Sequence, residues 1–148
     1  MLVSFAKSCD ISYITLAVNK KHVSDPLDLT VALSRQLTVF IREEYDFFNQ
    51  YDRIVVYYDN GQIELNKLLA SVFAALLPQS EFRKVLPADY RLFQVADLFC
   101  TMELIKLKSE NHLTSKTEDI FFGSNRYLKK NYLIPLQKKR HTNLADNK

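Results

Sequence analysis

The sequence predicts an α/β domain with a mixed or mostly parallel sheet flanked by helices. Three observations lead there. β-branched apolar runs alternate with segments of helical periodicity, in the order strand, helix, strand, helix, strand, helix. The run Arg53–Tyr58 (RIVVYY) is nearly all apolar, the pattern of a strand covered on both faces. The Asp59-Asn60-Gly61 turn after it leads into helical spacing rather than into a second hairpin strand.

Taken in order, residues 2–8 fit either a helix end or a strand start. Ile11–Val18 (ISYITLAV) is β-branched and aromatic and reads as a strand closed by Asn19-Lys20-Lys21. Asp25 is the expected N-cap of the next helix, with Pro26 at its first position and Asp28 in its first turn. That helix is expected to run to about Asn49, with Leu29, Leu33, Leu37, Phe40, Ile41 and Phe48 on its core face. After the Arg53–Tyr58 strand, Leu65, Leu68, Leu69, Val72, Phe73, Leu76 and Leu77 keep helical spacing up to Pro78. Phe82–Leu86 is a short third strand closed by Pro87.

The stretch from Tyr90 to Leu107 is apolar on nearly every side and reads as a covered helix. Tyr90, Gln94, Asp97 and Thr101 form one narrow polar stripe along it. A carboxylate in such a place requires a cation, a set of hydrogen-bond donors or a metal. Helical segments are expected around 118–122 and over Arg126–Tyr132, with Pro135 and a polar tail after them. Residues 1–125 are expected to form the domain and 126–148 a basic C-terminal segment.

The chain has 148 residues, 47% hydrophobic and 25% charged, within the range of one folded domain. Two glycines in all, with no GxGxxG or P-loop pattern, exclude a glycine-rich phosphate loop. The net charge of +3 is unevenly placed: Arg126, Lys129, Lys130, Lys138, Lys139, Arg140 and Lys148 face Asp146 alone. A basic segment on a mildly acidic body suits a polyanionic partner or a solvated terminus. Cys9 and Cys100 make neither a disulfide framework nor a zinc site and are expected as reduced core thiols. His22, His112 and His141 lack ligand spacing, and no serine has a His pattern for nucleophilic catalysis. With no apolar run of membrane-spanning length, a cytoplasmic location and no membrane partner are expected.

Asp59 follows the carboxyl end of a strand, the edge where open α/β sheets hold ligands. Asp97 lies in the first turns of the covered helix. Two carboxylates converging from a strand end and a helix suit a hard cation such as Mg²⁺ or Mn²⁺. Their alternatives are an Asx turn or helix cap for Asp59 and a structural ion pair for Asp97, with Gln94 as its hydrogen-bond partner.

Ile54–Leu69 (IVVYYDNGQIELNKLL) and Asp89–Lys106 (DYRLFQVADLFCTMELIK) resemble the bacterial and phage family called domain of unknown function 3800. Its Gln-x-Ala-Asp-Leu helix is matched by Gln94, Ala96, Asp97 and Leu98, with Val95 at the variable position, and its strand-ending Asp by Asp59. The segment ISYITLAVNKKHV also looks like the family's strand before its long helix, and the likeness covers roughly residues 5 to 110.

The resemblance implies a ribonuclease H-like fold whose acids hold Mg²⁺ or Mn²⁺ for phosphodiester cleavage. Asp59 and Asp97 would be the catalytic and metal-holding residues, with Gln94 and Asn60 in support. The family opens with a strand carrying Asp-Glu-Ser-Gly, which this sequence lacks. The expectation is therefore a partial domain without the N-terminal strands, inactive or weakly active alone, or completed by a complementing N-terminal fragment. The competing expectation is a non-catalytic remnant that binds nucleic acid or protein through its basic segment and self-associates as a homodimer through open sheet edges.

Overall fold

The computed structural model describes residues 2–59, 61, 63–122 and 125–142, leaving aside the side chains of residues 119, 121, 122, 125 and 128. The chain is α/β and 64% helical, with a small parallel sheet flanked by helices. It divides into two compact units, one from residues 1–15 and 90–141, the other built on Leu16–Asp89.

The unit on Leu16–Asp89 holds α1 (Pro26–Glu43), α2 (Tyr45–Asn49), β1 (Ile54–Tyr58), α3 (Ile63–Leu76) and β2 (Ser80–Lys84). Asp25 caps α1 as expected, its Oδ1 accepting the Asp28 N–H at 2.9 Å with Pro26 in the first turn. The helix does not run unbroken to Asn49. It bends at Glu44, a buried residue at φ −103° and ψ 22°, while the Phe48 N–H still reaches the Glu44 carbonyl at 3.1 Å. The bend sets Phe48 edge-on against both Phe40 and Phe73.

β1 and β2 pair in parallel from Ile54↔Ser80 to Tyr58↔Lys84, with α3 as the crossover between them. Arg53 and Glu81 form a 2.7 Å ion pair beside the start of this ladder. The core of the unit is Leu37, Ile41, Leu68 and Leu77, with Leu16, Leu33, Ile54 and Phe73 packed on it. β1 is only partly buried and Tyr57 is exposed, so the run RIVVYY is not covered on both faces.

The other unit contains α4 (Leu2–Ser8), α5 (Arg91–Glu110), α6 (Lys116–Phe122), α7 (Asn125–Leu128), a π turn (Lys129–Leu133) and α8 (Ile134–Gln137). Ala6, Val95, Phe99, Met102, Ile105, Leu133 and Leu136 form its core. Leu133 and Leu136 thus belong to the folded interior, although they lie among the basic residues of the C-terminal segment.

Ile11–Val18 is not a strand of the sheet. The Tyr13 N–H donates to the Lys139 carbonyl at 3.0 Å, and the His141 N–H donates to the Tyr13 carbonyl at 2.9 Å. These bonds make an isolated parallel bridge between Tyr13 and Arg140. Tyr13 stacks on Phe99 within the unit of residues 1–15 and 90–141, and Leu16 packs on the core of the Leu16–Asp89 unit.

α5 ends in a Schellman motif. His112 sits at φ 56°, its N–H reaches the Ser109 carbonyl at 3.2 Å, and the Leu113 N–H reaches the Lys108 carbonyl at 2.7 Å. α6 opens with a capping box: Ser115 Oγ accepts the Glu118 N–H at 3.2 Å, and Glu118 Oε2 accepts the Ser115 N–H at 2.8 Å. The helical path continues through Pro135, which has no N–H for the Asn131 carbonyl. Lys7 Nζ donates to that carbonyl instead, at 3.3 Å.

Candidate anion-binding site

Asp59 follows β1 as expected, at the carboxyl edge of the sheet. Its Oδ1 accepts the Gly61 N–H at 3.0 Å, an Asx turn, and its carbonyl accepts from Asn66 Nδ2 at 2.7 Å. The local role the sequence allowed is the one these bonds describe. Asn60 lies outside the described residues. Asp97 and Gln94 are on α5 in the other unit, so the two candidate acids belong to different units. Among the described residues, no three His, Cys, Asp or Glu side chains converge as a metal-holding group.

α5 is not covered on nearly every side. Leu92 is 56% and Leu104 53% exposed, and Gln94, Asp97, Cys100 and Thr101 are exposed with them. Water solvates the Asp97 carboxylate, which removes the premise that burial forces a partner on it. Cys100 is exposed rather than a core thiol, and Cys9 is intermediate.

The acid that burial does constrain is Glu103, 6% exposed on the same helix face as Phe99 and Met102. Tyr13 Oη donates to its Oε1 at 2.8 Å, and Arg140 Nη1 lies 4.0 Å from its Oε2. Burial first, then this hydrogen bond and the Glu103 charge, push the Tyr13 phenol above its ordinary range. The signal was in the sequence: Glu103 follows Phe99 by four residues and Val95 by eight, on the apolar stripe.

One end of this unit carries a cleft of about 560 Å³. Lys106, Ser109 and Glu110 line it from one face of α5 at helical spacing, and Arg126, Lys129, Leu133 and Gln137 line it from the helical segment over residues 125–137. Lys106, Arg126 and Lys129 are three cations against the single carboxylate of Glu110. None of the three has an ion-pair or hydrogen-bond partner among the described residues. Several cations of the unit elsewhere are engaged. Lys108 binds Glu118 at 2.6 Å, Lys139 Nζ donates to the Cys9 carbonyl, and Arg91 lies over the Phe5 ring.

Sequence reading found the basic segment but not the cleft, because Lys106 comes from α5 and the pairing of the two helices is a tertiary fact. A second, mostly apolar groove of about 330 Å³ runs between Ile11–Thr15 and the Leu92–Cys100 side of α5. Comparison with family models, curated proteins and solved structures returned no match. No helix among the described residues is long and apolar enough to cross a membrane.

Proposed function

We propose that the chain is a nucleic-acid-binding module that engages phosphates through the cleft of Lys106, Arg126 and Lys129. The observation that carries this reading is the convergence of those three cations, unpaired among the described residues, on one concave surface. Arg and Lys on such a surface bind phosphate oxygens with charge-assisted hydrogen bonds, and the affinity comes from released counterions. Glu118, in contrast, already neutralises Lys108.

The test is binding of labelled single-stranded and duplex oligonucleotides by fluorescence anisotropy, with and without EDTA. Binding indifferent to EDTA, and lost in the Lys106→Ala/Arg126→Ala/Lys129→Ala variant, supports the reading; unchanged binding by that variant contradicts it. Point substitutions are the right tool, because removing residues 126–148 would also remove the core residues Leu133 and Leu136.

A second reading, a metal-dependent nuclease of ribonuclease H-like type, is supported by the place of Asp59 at the carboxyl end of β1. Asp59 and Asp97 would hold Mg²⁺ or Mn²⁺, with remaining ligands from a complementing fragment or a second copy. Cleavage of single-stranded, duplex or hybrid substrates that requires the metal and disappears in Asp59→Ala and Asp97→Ala would establish it. Metal-dependent cleavage that persists in both variants would refute it.

A further inference from the structure

We infer that the cleft seats a single phosphate monoester, the dianionic group at the end of a nucleic-acid strand or on a free nucleotide. This deepens the nucleic-acid reading and rests on it.

Charge is the first argument. Three cations against Glu110 leave a surplus of two positive charges around the cleft. A phosphate monoester carries about −1.5 to −2 at neutral pH and matches that surplus, whereas one diester of a running backbone carries a single charge. The placement of Glu110 is the second. It follows Lys106 by one turn on the same face of α5, so it opposes a second phosphate beside the first. The cleft therefore favours one strongly charged group over a succession of weakly charged ones.

The third argument is the lining beyond the charges. The Arg126 guanidinium is a planar fork of donors suited to two oxygens of one terminal phosphate. Lys129, three residues on, adds a compact charge beside it. Leu133 supplies an apolar surface, and Ser109 and Gln137 supply neutral polar groups, which suits the sugar and base attached to such a phosphate. A volume of about 560 Å³ is in the range of pockets that hold one small ligand.

The experiment compares one oligonucleotide sequence in three forms, 5′-phosphorylated, 3′-phosphorylated and hydroxyl-ended, by fluorescence anisotropy with the full chain. At least one phosphorylated form is expected to bind ten-fold or more tightly than the hydroxyl form. Arg126→Ala and Lys129→Ala each abolish that preference, Glu110→Gln narrows it by tightening the hydroxyl-ended form, and Lys130→Ala, outside the cleft, leaves it unchanged. Far-UV circular dichroism confirms that each variant is folded.

Competition with nucleoside monophosphates separates the two sources of the group: displacement at comparable affinity assigns the free nucleotide, and failure to displace assigns the strand end. Equal binding of all three oligonucleotides, or a preference that survives Arg126→Ala and Lys129→Ala, overturns the inference. Equal binding that still weakens steeply with salt would leave the nucleic-acid reading intact. Binding of nucleoside monophosphates but of no oligonucleotide would refute that reading and keep the phosphate seat.

Discussion

The Tyr13 hydroxyl donates a 2.8 Å hydrogen bond to Oε1 of the buried Glu103, joining an extended N-terminal segment to the middle of α5. The same residue stacks on Phe99 with ring centroids 4.0 Å apart, and its backbone bridges to Arg140. One side chain thus organises a polar contact inside an apolar core.

Tyr13→Phe keeps the stacked ring and removes only the donor to a buried carboxylate. The expected cost is about 1–3 kcal/mol of folding stability, measured by urea denaturation. A cost below about 0.5 kcal/mol would show that water satisfies Glu103 as well as the phenol does.

Alkaline pH probes the same contact. The Tyr13 phenol is raised above its ordinary value by burial, then by Glu103. Its contribution to stability is therefore complete below about pH 10, the unfolded-state value, and is lost as pH rises above that value. Phenolate absorbance near 295 nm should show one tyrosine ionising later than the others, or only with unfolding. Tyr13→Phe should remove that late component.

Glu118 sets the acid limit. The Lys108 side chain, then the Ser115 N–H and hydroxyl, hold its carboxyl down to about 2. A depressed carboxyl stabilises the fold above its unfolded-state value, near pH 4.5, and that contribution is lost as pH falls toward 2. The melting temperature of the wild type should exceed that of Glu118→Gln at pH 7. The difference should shrink between roughly pH 4.5 and 2, and a constant difference would contradict this.

His112 occupies the left-handed region at φ 56°, where an L side chain is strained and glycine is not. His112→Gly should stabilise the fold by about 0.5–1 kcal/mol, a rise of roughly 2 °C in melting temperature. A fall in melting temperature would show that the imidazole makes a compensating contact.

Local rules carried the sequence reading where local physics decides the outcome. Asp25 and Pro26 begin a helix because the cap and the fixed φ are local, and IVVYY becomes a strand leading into a helix for the same reason. The capping box Ser115-x-x-Glu118 is equally local and equally legible.

The reading failed where partners are distant. Ile11–Val18 has strand composition, but its backbone bonds with residues 139 and 141, more than a hundred positions away. The α5 stretch looked covered because its residues are apolar, yet Leu92 and Leu104 face solvent and Glu103 lies inside. The cleft needed both α5 and the helical segment after residue 124, and no spacing within either reports their meeting.

The most direct test of the account is the salt dependence of single-stranded oligonucleotide binding, measured for the wild type and the Lys106→Ala/Arg126→Ala/Lys129→Ala variant between 50 and 200 mM salt. Three cations each neutralising a strand phosphate predict a slope of log K against log salt of about −2, and a single seated terminal phosphate a shallower one of about −1; either is nearly abolished in the variant. A wild-type affinity independent of salt, or the same slope in the variant, would contradict it.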